Sequence, residues 1–96
     1  MDGLNTPLEG LRVLDLGRYQ AGPRCGLMLA RMGAEVIKIE NLDGDESRMS
    51  GPFVRGQSAY WVQYNSGKKS LAINLRTDEG KEVLTDLVKI SDFLLQ

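Results

Sequence analysis

The chain has 96 residues, of which 42% are hydrophobic and 26% charged, values typical of one small soluble domain. Its net charge of −1 lacks the basic excess of nucleic-acid-binding or membrane-surface proteins, and no apolar run approaches the roughly 20 residues of a membrane span. The absence of histidine and the single cysteine exclude imidazole chemistry and an internal disulfide within these residues, and they fit a cytoplasmic protein.

The first half of the chain predicts a strand–helix–strand unit. Residues 11–16 form an apolar run that indicates a strand, and residues 34–40 indicate a second one. The glycine turn (residues 17–22) lies between them, Pro23 suits the start of a helix, and Gly33 suits its end. Apolar side chains at helical spacing are expected to face the sheet: Cys25, Met28, Leu29 and Met32.

The second half predicts a long polar loop followed by a second unit. The loop covers residues 41–58 and is expected to be functional or mobile, and residues 59–65 form a strand or a short helix. Residues 71–75 indicate a strand, Thr77 suits a helix N-cap, and residues 92–96 begin a further strand. The inward stripe of the helix is expected to contain Val83, Leu84, Leu87, Val88 and Ile90.

This alternation of strands and helices predicts an α/β fold with Rossmann-like βαβ units and a mostly parallel sheet. Parallel sheets are covered on both faces, whereas the apolar residues 92–96 are followed by no helix within these 96 residues. We therefore expect residues 1–96 to be the N-terminal portion of a larger domain.

The glycine turn is the first candidate site. Gly17 and Gly22 have the spacing of a Walker A loop, but Pro23 and Arg24 replace its lysine and hydroxyl residue, and no G-x-G-x-x-G is present. Glu40 lies where NAD proteins carry a ribose-binding acid, which alone is weak support. A turn before a helix offers N–H groups to an anion or thioester oxygen. In the alternative interpretation, the glycines let the helix approach the sheet and nothing binds.

Basic and thiol side chains give further candidates. Cys25 falls in the first helical turn, where a thiol pKa can be lowered, but a small apolar residue on the inward face is the favoured interpretation. Lys68, Lys69 and Arg76 either contact phosphates or lie on a solvated surface.

Aromatic and acidic side chains have structural interpretations as well. Core packing is favoured over base stacking for the aromatic residues Tyr60, Trp61 and Tyr64. Loop solubility is favoured over metal binding for the acidic residues Asp43, Asp45 and Glu46. No metal site is predicted.

Four segments in order resemble the family III CoA-transferases, which include formyl-CoA transferase, carnitine CoA-transferase and alpha-methylacyl-CoA racemase. They are PLEGLRVLDLGRYQAGP, GAEVIKIE, NSGKKSLAINLRTDEGKEVL and SDFLL, and a GD-x-x-R-x-x-GP segment lies between the second and third. The resemblance implies a large Rossmann-like domain that binds coenzyme A, a smaller second domain, and an interlocked homodimer.

The resemblance also implies which residues contact coenzyme A. The thioester and pantetheine would lie beside Arg18, Tyr19, Gln20 and Ala21, with Gln20 as the catalytic contact. The adenine nucleotide would lie beside Ala72, Ile73, Asn74 and Arg76. Asn41 falls where relatives often carry an arginine, which puts one nucleotide contact in doubt.

The implied reaction transfers CoA from an acyl-CoA to a carboxylic acid through an aspartate nucleophile, with no metal. That aspartate lies beyond Gln96 in the family, so residues 1–96 alone are expected to be inactive. Three alternatives remain open: a 2-methylacyl-CoA racemase of the same family, a non-catalytic CoA- or nucleotide-binding module, and part of an NAD-dependent oxidoreductase. Gln20 and the length of the segment before Lys68 favour the transferase over the racemase.

Overall fold

The computed structural model describes residues 6–96, and a parallel sheet of four strands lies at the centre of this region. The strands, in chain order, are β1 (Arg12–Asp15), β2 (Glu35–Glu40), β3 (Phe53–Val54), β4 (Gln57–Ser58), β5 (Lys69–Ala72) and β6 (Phe93–Leu95). The helices are α1 (Ala21–Arg31), α2 (Ala59–Asn65) and α3 (Asp78–Lys89), with a 3₁₀ helix at Glu46–Met49. Strands β3 and β4 form a separate antiparallel hairpin.

The strand order of the main sheet is β5-β2-β1-β6, and each neighbouring pair is parallel. From β1 the chain moves outward through β2 to β5, and it then returns to β6 on the other side of β1. In open α/β sheets, such a reversal leaves a crevice at the carboxyl ends of the strands. The predicted α/β fold with Rossmann-like βαβ units and a mostly parallel sheet is confirmed.

Two apolar clusters cover the two faces of the sheet. Val13 and Val36 belong to one cluster, which packs against partly buried residues of α1. Leu14 and Ile39 belong to the other, which packs against partly buried residues of α3. Successive side chains of a strand point to opposite faces, so β1 and β2 contribute to both clusters.

The predicted helix ends are confirmed in two places. Thr77 caps α3, because its Oγ1 accepts a hydrogen bond from the Gly80 amide at 3.1 Å. Gly33 follows α1 with a φ of 100°, a left-handed conformation that glycine adopts without steric cost. Helix α1 begins at Ala21, two residues before Pro23, which stays within the first turn where its missing N–H is not needed.

The predicted inward face of α1 is wrong for Cys25, Met28 and Met32, whose side chains are exposed. The buried residues of this helix are Pro23, Gly26 and Leu27. Both sets have helical spacing, and apolarity alone favours the one with larger side chains. Helix α1 instead turns the face with Gly26 to the sheet, where a Cβ at Gly26 would lie only 2.8 Å from Asp15 Oδ2.

The predicted inward stripe of α3 is correct at its centre. Leu84 and Leu87 pack against the cluster of Leu14 and Ile39, as expected. The outer members of the stripe are exposed: Val83, Val88 and Ile90.

The long polar loop contains short elements that periodicity does not predict. The 3₁₀ helix is capped by Asp45, whose Oδ1 accepts a hydrogen bond from the Ser47 amide at 2.9 Å. Residues 59–65 form helix α2, capped by Ser58, which settles the alternative between strand and helix. Strand β5 begins and ends earlier than predicted, at Lys69–Ala72.

Candidate functional site

A cleft of about 470 Å³ opens at the carboxyl ends of β1 and β2. Gly17 and Arg18 line it after β1, Asn41 lines it after β2, and Leu75 and Gln96 complete it after β5 and β6. The cleft therefore lies where open α/β sheets bind their ligands. Gly17 and Arg18 are the residues of the glycine turn that line the cleft, and the Arg18 side chain is exposed.

The glycine turn is closed on itself by close backbone contact. A Cβ on Gly17 would lie 2.8 Å from the Cα of Gly22, so neither position accommodates a side chain without movement. Between them, Tyr19 has a φ of 63°, an uncommon value for a residue with a side chain. Such a conformation persists where the surroundings hold it in place. Sequence reasoning identified these glycines, and the structure shows that close packing requires them.

Four exposed residues project from this turn and from the start of α1: Arg18, Tyr19, Gln20 and Ala21. Gln20 occupies the N-cap position of α1, yet its side chain makes no capping hydrogen bond. Its amide group can therefore turn toward a ligand, and the adjacent helix N-terminus offers N–H donors and a positive dipole end. These four residues are the ones predicted for the thioester end.

Glu46 connects the glycine turn to the 3₁₀ helix. Its carboxylate accepts a hydrogen bond from the Tyr19 hydroxyl at 2.7 Å and lies 3.5 Å from the Arg18 guanidinium. The hydrogen bond to Glu46 raises the pKa of Tyr19, because ionising the phenol would lose the donated proton and place two anions together. Glu46 of the long polar loop thus contacts two residues of the predicted site, Arg18 and Tyr19.

Charged side chains are buried beneath the glycine turn, on the sheet face that α1 covers. Asp15 is 0% exposed and Lys38 is 1% exposed. Asp15 accepts hydrogen bonds from the Gly17 amide at 2.9 Å and from Lys68 Nζ at 2.6 Å. Lys38 donates to the carbonyl oxygen of Gly17, and its Nζ is 3.8 Å from carboxylate oxygens of both Asp15 and Asp45. We call Asp15, Lys38, Asp45 and Lys68 the buried charge cluster.

The position of Lys68 contradicts both predictions for this residue, which were a phosphate contact and a solvated surface. Its side chain is 1% exposed, and its ammonium group also donates to the carbonyl oxygen of Pro23 and to Asn65 Oδ1, each at 2.8 Å. Burial lowers the pKa of Lys68, and the hydrogen bond to Asp15 opposes that shift. Lys68 is neither a surface residue nor a phosphate ligand. Strand alternation could have indicated that Asp15 and Lys38 share the face of the buried valines, but it gives no signal for their neighbour Lys68.

Lys69 is exposed, but its ammonium group is paired with Glu35 Oε2 at 2.6 Å, near the end of the sheet opposite the cleft. Hydrogen bonds from Lys69 and Arg12 lower the pKa of Glu35 to about 2. A phosphate at the cleft would lie at the other end of β5, so the structure gives no support to the phosphate interpretation of Lys69.

Glu40 is a buried acid at the floor of the cleft. Its carboxylate accepts hydrogen bonds from Arg48 Nε at 2.7 Å and Nη2 at 2.9 Å, from the Asp45 amide at 2.8 Å, and from the Ser70 hydroxyl. Burial raises the pKa of Glu40, but these hydrogen bonds outweigh burial and hold it at about 2. With its oxygens used in this way, Glu40 does not act as a ribose-binding acid.

The aromatic residues are occupied by protein contacts. The Arg48 guanidinium lies 3.9 Å from the centroid of the Trp61 ring, a cation–π contact. The rings of Tyr60 and Tyr64 have centroids 5.0 Å apart. These contacts agree with packing as the role of the aromatic residues.

The residues predicted for the nucleotide end lie at the carboxyl end of β5 and directly after it. Ala72 and Arg76 are exposed, and Asn74 is half-buried with its Oδ1 accepting a hydrogen bond from the Arg76 amide at 3.1 Å. Ile73 is 6% exposed and its side chain belongs to the apolar core, whereas the placement of the nucleotide beside Ile73 stays a prediction. At this position the backbone is what remains for ligand contact.

Residues 6–96 contain neither a candidate metal-binding cluster nor a candidate membrane-spanning helix. No group of three or more histidine, cysteine, aspartate or glutamate side chains in this region could hold a metal ion. No helix of this region is long and apolar enough to cross a membrane.

Comparison with known proteins identifies relatives of the whole described region. Residues 8–96 match the family model for CoA-transferase family III. Succinyl-CoA:mesaconate CoA-transferase of Haloarcula marismortui is 43% identical over 94 residues, which cover 93% of this chain and 24% of that protein. Succinyl-CoA:glutarate CoA-transferase of Mus musculus is 42% identical, covering 94% of this chain and 21% of its own. Formyl-CoA:oxalate CoA-transferase of Escherichia coli is 42% identical over 95 residues, which cover 97% of this chain and 23% of that protein.

Solved structures show the same relationship. A CAIB/BAIF family protein from Brucella suis superposes with a TM-score of 0.87 at 43% identity, covering 94% of this chain and 25% of that chain. The hypothetical protein Rv3272 from Mycobacterium tuberculosis superposes with a TM-score of 0.85 at 36% identity, covering 93% of this chain and 24% of that chain. The chain spans about a quarter of the length of these relatives.

Proposed function

The chain belongs to CoA-transferase family III, and we propose that it forms the N-terminal part of the large CoA-binding domain of an acyl-CoA:carboxylate CoA-transferase. The observation that carries this proposal is the cleft at the carboxyl ends of β1 and β2, which Gly17 and Arg18 of the glycine turn line beside the exposed residues Tyr19, Gln20 and Ala21. The family implies CoA thioester substrates. The remaining part of the domain and a small second domain would complete the enzyme, which we propose to be a cytoplasmic homodimer.

The glycine turn would receive the thioester end of acyl-CoA. Gln20 has a neutral amide that donates and accepts hydrogen bonds and does not titrate, so it can contact the carbonyl oxygen at every stage of acyl exchange. Arg18, Tyr19 and Ala21 would line the pantetheine, with Arg18 and Tyr19 held by Glu46.

The segment after β5 would receive the adenine nucleotide. The exposed Arg76 guanidinium suits a phosphate, since its fork of donors matches phosphate oxygens. Ala72, Ile73 and Asn74 would contribute mainly backbone contacts, because Ile73 is in the core and Asn74 Oδ1 already accepts a hydrogen bond. CoA would thus span the cleft from the end of β1 to the end of β5.

The aspartates with described structural roles are not placed as nucleophiles. Asp15 is 0% exposed and bonded to Lys68, and Asp45 caps the 3₁₀ helix. Asp92 accepts a hydrogen bond from the Arg12 amide at 2.8 Å, at the amino end of β6 and away from the cleft. The proposal therefore assigns the aspartate nucleophile to another part of the enzyme, and residues 1–96 alone would not transfer CoA.

The test uses the full-length protein that carries this sequence. We expect CoA transfer from succinyl-CoA or formyl-CoA to a panel of carboxylic acids that includes glutarate, mesaconate and oxalate. CoA binding without transfer to any acceptor would support a non-catalytic module, and racemisation of a 2-methylacyl-CoA would support a racemase. Preferential binding of NAD over CoA would overturn the proposal.

Two variants locate the ends of the bound molecule. Gln20→Ala should lower kcat by about 10²-fold, as loss of one oxyanion donor does, while CoA affinity changes much less. Arg76→Ala should weaken CoA by about tenfold or more, as loss of a charge-assisted hydrogen bond does, and should weaken a pantetheine analogue less. The exposed residues Gln63 and Arg31, replaced by alanine, are matched controls. Unchanged turnover in Gln20→Ala would remove Gln20 from the mechanism, and equal weakening of both ligands in Arg76→Ala would place Arg76 away from the nucleotide.

A further inference from the structure

The buried charge cluster is not explained by stability. Removing ammonium and carboxylate groups from water is costly, and well-packed apolar residues of similar volume are often as stable or more stable. The opposite sheet face shows this alternative, because Leu14 and Ile39 pack there at the same level of β1 and β2. The charged residues on the face that α1 covers therefore need an explanation other than their contribution to stability.

The hydrogen bonds of the cluster end on the backbone of the glycine turn. Asp15 accepts from the Gly17 amide at 2.9 Å, and Lys38 donates to the Gly17 carbonyl oxygen. Directly after the turn, in the first turn of α1, Lys68 donates to the Pro23 carbonyl oxygen at 2.8 Å. The start of the glycine turn and the residue that follows it are thus tied to one cluster, which is itself joined by the bond between Lys68 and Asp15 at 2.6 Å.

We propose that Asp15, Lys38 and Lys68 are positioning residues that hold the backbone from Gly17 to Pro23 in one geometry. A turn with two glycines has many conformations in isolation, and the left-handed φ of Tyr19 needs support from its surroundings. Charge-assisted hydrogen bonds inside the protein provide that support without any contact with substrate. The consequence for catalysis rests on the proposed function, because it requires that the exposed residues of the turn meet the thioester.

A double variant tests the proposal without leaving a lone buried charge. Lys68→Met alone would leave two buried carboxylates, Asp15 and Asp45, beside the single ammonium group of Lys38 and can prevent folding. Asp15→Asn/Lys68→Met removes both charges, keeps an acceptor for the Gly17 amide, and abolishes the tie to Pro23. Lys69→Met is the matched surface control, since this neighbouring lysine is exposed and paired with Glu35. Val36→Ala is the stability control, because this residue is buried on the same sheet face.

Two measurements on the full-length protein separate a positioning role from a structural one. Amide hydrogen exchange of residues 17–22 should be about tenfold faster in the double variant than in the Val36→Ala control. The kcat of CoA transfer should fall by about tenfold or more while KM for acyl-CoA stays within about threefold, because small misplacements of contact groups reduce turnover steeply. Lys69→Met should change neither quantity.

Each other outcome has a defined meaning. Unchanged exchange in a folded double variant overturns the proposal. Faster exchange with unchanged kcat overturns the positioning role in catalysis, as does an equal fall of kcat in Val36→Ala. If the unsubstituted protein transfers no CoA, the proposed function fails, and the exchange measurement then decides by itself whether these residues hold the turn.

Discussion

Gly26→Ala tests how closely α1 approaches the buried charge cluster. A Cβ at this position would lie 2.8 Å from Asp15 Oδ2 and 3.1 Å from Lys68 Cε. Asp15 is 0% exposed and its Oδ2 is bonded to Lys68 at 2.6 Å, so the carboxylate cannot turn away without losing a buried partner. The added methyl group must therefore push α1 from the sheet or stretch the ion pair.

The magnitude follows from two opposing contributions. Alanine in place of glycine favours the helical backbone by about 1 kcal/mol. Overpacking of a close-packed site costs about 1–3 kcal/mol, and displacement of a buried ion pair adds to that cost. We expect the free energy of unfolding to fall by about 1–2 kcal/mol overall.

Urea unfolding followed by the fluorescence of Trp61 measures this change. Trp61 is the single tryptophan of the 96 residues, and it lies in α2, which contacts α1. The control is Cys25→Ala, because Cys25 is the exposed neighbour of Gly26 in the same helix and surface changes stay within about 0.5 kcal/mol. A Gly26→Ala variant that is as stable as the parent, or more stable, would refute the close approach of α1 to the cluster.

Three further predictions concern single contacts. The pKa of Glu40 is about 2 in the folded chain and 4.5 ordinarily, so the ionised carboxylate stabilises the fold fully above pH 4.5, and this contribution is lost as the pH falls through 2. Glu40→Gln should therefore make stability depend less on pH between these values, as measured by acid unfolding followed by circular dichroism. An identical acid profile would argue against that contribution. Thr77→Ala should cost about 1 kcal/mol in thermal unfolding while Thr77→Ser costs less, and equal losses would exclude the capping hydrogen bond as the cause. Glu46→Gln should lower the pKa of Tyr19 toward its ordinary value in a spectrophotometric titration, and no shift would contradict the hydrogen bond between them.

Several features follow from residues that are near one another in sequence. Thr77 caps α3 and Gly33 ends α1 because each depends on bonds and backbone angles within about one helical turn. The apolar runs of β1 and β2 predict strands, and the helical pattern between them predicts that the two strands are parallel. The segments that resemble family III CoA-transferases are likewise visible in the sequence, and the match of residues 8–96 to the family model confirms that resemblance.

Other features depend on contacts between distant parts of the chain. The prediction that Lys68 contacts phosphate or solvent was wrong because its partner Asp15 is 53 residues away. The sequence shows the charge of a residue but not how deeply it is buried. The face of α1 was misjudged because Gly26 must fit against that same ion pair, a constraint that apolar periodicity does not contain.

The sequence by itself therefore determined the α/β class, the main helix ends and the family, since these depend on local patterns of residue type. Tertiary structure alone decided that Asp15, Lys38 and Lys68 lie together beneath the glycine turn. The physical reason is that burial and ion pairing are set by the strand order β5-β2-β1-β6, which brings together residues that no local pattern connects.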